Sequence, residues 1–321
     1  MATIIKTRNE SAAIQMTGVY RLGNDIDLSG ALWTPLGTST QRFEGEFDGD
    51  GYTISHMTIV RTGNDSGLFG YVGVNGTIEN LMLTEVSVTV SSGGGTAGMA
   101  GFCRGTIRRC GVTGSVVGSS YVGLLVGRTW DVYCQIEQCF AVGYVTTVLV
   151  SNFAYVGGLI SHFQSMSTAQ DCYARVVVGG SGGHMGGFIG YISDNTALRC
   201  YAAGPVSSES TSNIGGFAGR LIAVPEDTGS FWDIEVSGQT TSAAGTGKTT
   251  AQMKDINTFT QAGWDFETTW GIDPQVNDGY PYLRAFEEYP FVRPLAKPRR
   301  PSGLFVPLRR PSRSAGLLRK Q

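Results

Sequence analysis

The sequence predicts an all-β chain, a right-handed parallel β-helix with end caps and an extended basic C-terminal tail, and three observations predict it. A four-residue phrase returns six times: Gly67-Leu68-Phe69-Gly70, Gly98-Met99-Ala100-Gly101, Leu124-Leu125-Val126-Gly127, Gly158-Leu159-Ile160-Ser161, Gly187-Phe188-Ile189-Gly190 and Gly216-Phe217-Ala218-Gly219. The starts lie 31, 26, 34, 29 and 29 residues apart, within the period of roughly 20 to 50 residues that marks a solenoid, propeller or array. A cysteine column, Cys110, Cys139, Cys172 and Cys200, follows four of the repeats. After each cysteine the even offsets are small or β-branched apolar residues, Val112, Ala141, Ala174 and Ala202, then Val116, Val145, Val178 and Val206. That alternation is a strand pattern. The 46 glycines argue against helical repeats, and propeller blades usually run longer with four strands each. In a β-helix one repeat is one coil, and equivalent positions stack about 4.8 Å apart.

Taken in order, residues 1–66 read as an N-terminal cap and first coils, in which Ile4, Ile5, Ile14 and Met16 cover the open end of the solenoid. Glu44, Glu46, Asp48 and Asp50 suggest a Ca²⁺ loop, but the ligand spacing of an EF-hand is missing, and a type I′ turn is the better reading. Residues 67–236 form the repeat body. Its cysteines are inward structural thiols, with Leu81 in the equivalent place of the first repeat. Cys103 and Cys134 could each approach a column cysteine. An Ile three residues before Cys110 and Cys139 requires a corner between two inward positions.

Residues 237–288 read as a C-terminal cap, with a short helix near 249–256 and Trp264, Phe266, Trp270, Tyr280 and Tyr282 closing the last coil. Ser242 to Thr249 ends like a phosphate-binding loop but lacks its first glycine and the preceding buried strand. Residues 289–321 read as a basic, Pro-rich extended tail, carrying the anchor residues Arg299, Arg300, Leu304, Phe305, Arg309, Arg310, Leu317 and Leu318. Charge divides the chain at the same place. Nine of the 24 Lys and Arg, and none of the 26 acids, lie in 289–321, leaving 15 basic against 26 acidic residues before it, a net of −11 against +9.

Strand alternation places Leu68, Met99, Leu125, Leu159, Phe188 and Phe217 inward and Phe69, Ala100, Val126, Ile160, Ile189 and Ala218 outward. An outward apolar row needs cover from elsewhere. Two residues further along the same side come Tyr71, Phe102, Arg128, His162, Tyr191 and Arg220, and one past the cysteines come Phe140, Tyr173 and Tyr201. Rings interleaved with Arg suit either packing between coils or a surface for glycan, peptide or protein.

The repeated G-[LMF]-x-G followed by I-x-x-C resembles the GLUG motif of filamentous-haemagglutinin-like and IgA-peptidase-like surface proteins. The resemblance runs from about residue 20 to 284: Tyr20 to Gly30, Trp33 to Gly37 and Phe47 to Ile54 resemble opening coils, and Gly245 to Lys254, Gly263 to Phe266 and Gly279 to Leu283 a closing segment. Leu124 and Ser161 depart from the pattern by replacing glycines. The resemblance implies architecture, since adhesins, secreted proteins and phage structural proteins carry such domains alike.

Catalytic signals are weak. His56, His162 and His184 fall in different repeats, there is no G-x-S-x-G or H-E-x-x-H, and Asp171 beside Arg199 reads as a surface ion pair. No enzymatic activity, cofactor or metal is expected. No apolar run reaches the eighteen residues of a membrane span, and residues 1–10 lack the apolar core of a signal peptide. The expected role is a structural or adhesive β-helix in a multiprotein assembly, made in a host cytoplasm and displayed on a bacteriophage capsid or tail. A bacterial surface adhesin is the alternative, and a polysaccharide lyase or hydrolase the second. The expected partners are neighbouring subunits, either copies of this chain or a capsid or tail protein, and a surface glycan. Nucleic acid is disfavoured by the acidic body, and no membrane is expected.

Overall fold

The computed structural model describes residues 1–130, 133–209, 213–222 and 228–287. The chain winds as a parallel β-solenoid of about seven turns. The anchor residues Arg299, Arg300, Leu304, Phe305, Arg309, Arg310, Leu317 and Leu318 lie outside the described residues.

Six short strands, Phe69–Val72, Ala100–Cys103, Val126–Arg128, Ile160–Phe163, Ile189–Ser193 and Ala218–Ile222, each begin inside a repeat phrase and pair into one parallel sheet. The longer strands, among them Thr77–Val90, Thr106–Gly118, Phe140–Gly157 and Tyr173–Gly186, pair in parallel around the other sides of the coil. In-register pairing sets Ile78, Ile107 and Ile136 in one column and Leu81 opposite Cys110 in the next. Between those columns the chain turns through a left-handed residue: Asn80, Arg109, Gln138, Asp171 and Arg199 have φ of 48 to 52°. One such residue swings the strand by a corner, so positions three apart both face inward. The column cysteines are fully buried free thiols. Burial raises the pKa of Cys110, Cys139 and Cys172 well above the ordinary range, which keeps them protonated and inert. Cys103 and Cys134 approach each other, with Sγ atoms 3.1 Å apart.

The row expected to face outward does not. Phe69, Ala100, Val126, Ile160, Ile189 and Ala218 are fully buried in the same core cluster as the residues before them. The chain bends at the second position of each phrase, so consecutive side chains straddle a corner and both point inside. No external cover is required. Leu124, in place of a glycine, adds its side chain to that core.

At the N-terminal end Ile5 and Ile14 are buried and Met16 packs against them, whereas Ile4 is exposed. Asp50 and Gly51 have φ of 49 and 82°, and the Tyr52 N–H donates to the Gly49 carbonyl at 2.8 Å, the geometry of a type I′ turn. Asp48 and Asp50 are held by Arg21, and among the described residues no cluster of three or more His, Cys, Asp or Glu could hold a metal. The Ser242 to Thr249 stretch is not a phosphate loop either. Ser242 Oγ caps the N–H groups of Phe217 and Ala218, and Thr246–Lys248 is a strand.

The C-terminal segment departs from its expected place. Trp232, with Ile234 and Ala244, closes the end of the core, while residues from Met253 to Phe286 fold back along the flank of the coils and build a second apolar cluster. Two short helices, Thr250–Met253 and Ile256–Thr260, begin that segment. Among the described residues no helix is long and apolar enough to cross a membrane.

Candidate functional site

The segment that folds back decides which aromatic row is free. Phe140, Tyr173 and Tyr201 stack with centroids 5.1 Å apart and planes within 8°, but all three are buried under the chain's own Phe286, Trp270 and Tyr280. The Tyr201 hydroxyl donates to the Pro281 carbonyl at 2.7 Å. Expected as a partner surface, this row is instead an internal seam, because a strand row of outward rings is an apolar face that the chain itself can cover. Asp171 and Arg199 lie under the same segment. Their bidentate pair, at 2.8 and 3.0 Å, is joined by the Trp270 indole N–H at 3.2 Å, and Asp171 is buried rather than on the surface.

The other row stays uncovered by that segment. Pairing register places Tyr71, Phe102, Arg128, His162, Tyr191 and Arg220 on successive coils. Tyr71 stacks on Phe102 at 4.5 Å and 8°, Arg128 lies 4.8 Å over Phe102, and His162 stacks on Tyr191 at 4.9 Å and 8°. Beside it runs a second column, Tyr121, Tyr155 and His184, in register on successive coils. Tyr121 stacks on Tyr155 at 5.2 Å and Tyr155 on His184 at 4.8 Å. Edge-to-face contacts of Tyr121 and Tyr155 with His162 join the columns.

Stacking consumes most of this surface. Tyr71, Phe102, His162, Tyr191 and His184 are each under 10% exposed, so their faces are spent on one another. Both histidines are buried with Nδ1 lacking a hydrogen-bond partner. Burial, with Arg128 beside His162 and Arg220 beside His184, pushes each down to about 4, so both rings are neutral at pH 7.

The ladder opens at its N-terminal end into a cleft of about 660 Å³. Tyr71 and Phe102 line it together with Trp130, which is 43% exposed. The Thr34 to Ser39 loop contributes Thr34, Thr38 and Ser39, and Arg61, Asn64, Asp65 and Arg128 supply the charged and amide groups. Arg128 donates to Asp65 Oδ1 through Nε at 3.2 Å and Nη2 at 2.9 Å. Burial raises the Asp65 carboxyl above its ordinary value even against that guanidinium. The pair spans an intervening coil because the residue between is Gly95, with φ of 76°. A Cβ there would lie 2.5 Å from Asp65 Oδ1 and 3.3 Å from Arg128 Nε.

Sequence reasoning named Tyr71, Phe102 and Arg128 but missed Trp130, Arg61 and Asp65, and it missed the second column. Tyr121, Tyr155 and His184 each stand three residues before a repeat phrase, so extending the repeat alignment upstream finds them. Arg61 and Trp130 recur in no column and carry no such signal.

No family model matches the chain. A protein of Evansella cellulosilytica provisionally named a Gly-rich membrane protein is 30% identical over 362 aligned positions, covering 82% of this chain and 42% of its own length. Halomucin of Haloquadratum walsbyi is 41% identical over 124 positions, 34% of this chain and 1% of halomucin. The chain therefore spans less than half of either relative. A solved structure from Bacteroides ovatus, provisionally named an immunoglobulin A1 protease, superposes with a TM-score of 0.55 at 18% identity, covering 88% of this chain and 92% of that one. That likeness shows a shared fold.

Proposed function

We propose that this chain is a non-enzymatic adhesive module, a rigid β-solenoid displayed at a cell surface that holds a saccharide in the cleft at the start of the aromatic ladder. The observation that carries this reading is the cleft itself, in which the exposed Trp130 faces the same space as Tyr71 and Phe102 and the Asp65–Arg128 pair. Ring faces take the apolar face of a sugar, and a few fixed polar groups orient its hydroxyls. What supports binding over cleavage is the acid count: among the described residues Asp65 is the one carboxylate of the lining, and hydrolysis of a glycoside uses a pair. What supports a cell surface over a virion is the names of the relatives, a Gly-rich membrane protein and a halomucin. A glycan array probed with the full chain, followed by titration of the best oligosaccharide, tests it. Trp130→Ala should weaken binding at least tenfold while leaving the fold intact, because the indole is exposed. Equal binding by wild type and variant, or no binding to any saccharide, sinks the reading.

A second reading has its own observation. In the repeat of 34 residues the strand Phe140–Gly157 carries a register break that exposes Val148, Val150 and Phe153 at 54, 80 and 74%. An apolar bulge suits contact with a neighbouring subunit of an assembly, and a virion role anchored by residues 299–318 belongs to this reading. Sedimentation of Phe153→Asp against wild type separates an assembling chain from a monomer.

A further inference from the structure

We infer that the ligand of the cleft is an acidic sugar, its ring against Trp130 and its carboxylate on Arg61; this rests on the saccharide reading above. The charge pattern carries the inference. The chain through Glu288 has a net charge of −11, yet the cleft reverses that sign. Among the described residues Arg61 and Arg128 line it against Asp65 alone, and Arg42 lies beside it with its guanidinium 5.1 Å from the centre of the Tyr71 ring. A cationic recess in an acidic body concentrates anions.

The three arginines are not equivalent. Arg128 is held by Asp65 and lies over the Phe102 and Tyr121 rings, so its place is fixed and its charge half neutralised. Arg42 donates through Nε to the Ser39 carbonyl at 3.1 Å. Arg61 is exposed, and it also uses only Nε, on the Thr62 carbonyl at 3.1 Å. The terminal nitrogens of Arg61 have no hydrogen-bond partner among the described residues, and such a planar fork matches a carboxylate bidentately. The other oxygen of Asp65, Oδ2, likewise carries no hydrogen bond among the described residues, and it can accept from a sugar hydroxyl. Flat rings beside hydroxyl-bearing Thr34, Thr38 and Ser39 fit a polyhydroxylated ring better than the flexible arms of an acidic peptide.

Calorimetric titration of the full chain tests this with four probes: a hexuronate trimer, the neutral trimer made by reducing its carboxyls, a sulfated neutral trimer, and tri-glutamate. The hexuronate trimer should bind at least tenfold more tightly than the neutral one at pH 7 and low salt, and the gap should narrow as salt is raised. Arg61→Gln should erase the gap, the hexuronate trimer losing at least tenfold more affinity than the neutral one; Arg61 is exposed, so circular dichroism should match wild type. Equal binding of acidic and neutral trimers, or a gap that survives Arg61→Gln, overturns the inference and leaves the saccharide reading standing. Preference for the sulfated trimer or for tri-glutamate overturns it in favour of sulfate or peptide. Failure of every trimer to bind removes the saccharide reading and this inference together.

Discussion

Lowering the pH from 7 to 5 should remove about 4 kcal/mol of the stability that two buried histidines contribute to the solenoid. In the folded chain His162 and His184 are pushed down from 6.5 to about 4, whereas unfolded they titrate near 6.5. The unfolded chain therefore binds more protons between those values, so the stability tied to each neutral ring is whole above pH 6.5 and lost as pH falls toward 4. At pH 5 the unfolded imidazole is almost fully charged and the folded one is not, which makes the loss about 2 kcal/mol for each ring at about 1.4 kcal/mol per pH unit. Asp65, whose carboxyl is raised by burial, and His56, raised by its bond to Asp27, work in the opposite direction. Comparing wild type with the His162→Phe, His184→Phe double variant cancels those contributions, since both residues are common to the two chains. Phe keeps each ring in its stack and costs no bond at Nδ1, which is unpartnered in both; at His162 it removes the ring's bond to the Thr129 backbone, a loss that is the same at both pH values to first order. Urea unfolding at pH 7 and 5 gives the numbers. The double variant should lose most of the acid dependence, and an unchanged slope from pH 7 to 5 would show that these rings are hydrated and titrate normally.

Three further outcomes test the architecture. Cys139→Asp should cost several kcal/mol, on the order of 3 or more, because the site is fully buried in an apolar column and offers a carboxylate no cation; native thiol labelling of wild type should be slow at all six cysteines, and fast labelling of the column would refute its register. Trp270→Ala should cost about 3 to 5 kcal/mol by emptying the seam between Tyr173, Tyr201 and Trp264, and hydrogen exchange should rise across residues 253–286 before the coils. Gly186→Ala should destabilise by at least about 1 to 3 kcal/mol, since its Cβ would fall 2.0 Å from the Ile189 carbonyl oxygen, and thermal melting unchanged by that methyl would show the corner to be wrongly built.

Much of the fold was legible because a solenoid repeats its constraints. Any feature required by every coil recurs at a fixed offset: the phrase, the cysteine column, and the left-handed corner before it, which an Ile three residues upstream betrayed. The failures are also physical. Alternation assigned Phe69 and its equivalents outward because it assumes a straight strand, and the bend inside each phrase breaks that assumption. The row of Phe140, Tyr173 and Tyr201 was correctly outward from its coil, but whether an outward row meets solvent or the chain's own later segment depends on contacts far apart in sequence, such as that of Phe140 with Phe286, which no local pattern encodes.

The cleft was hidden for the reverse reason, and this bears on where to look for function in such chains. Stacked positions that obey the period spend their surfaces on one another: His162 stacks on Tyr191 and His184 on Tyr155, each one coil away. Binding capacity is left where the period fails. Gly95 interrupts a column otherwise filled by Tyr121, Tyr155 and His184, and the missing side chain lets Arg128 reach Asp65 across a coil. Trp130 belongs to no column and keeps its ring free. In this solenoid the free ring face of Trp130 and the fork of Arg61, unpartnered among the described residues, both sit outside the repeating columns, so the residues that break the alignment are the ones to mutate before those that define it. Gly95→Ser makes the point testable within this chain: it restores a side chain to the gap and should weaken ligand binding at the cleft in calorimetric titration, at a stability cost read by urea unfolding, since φ there is 76° and the new Cβ would lie 2.9 Å from the Gly101 carbonyl oxygen.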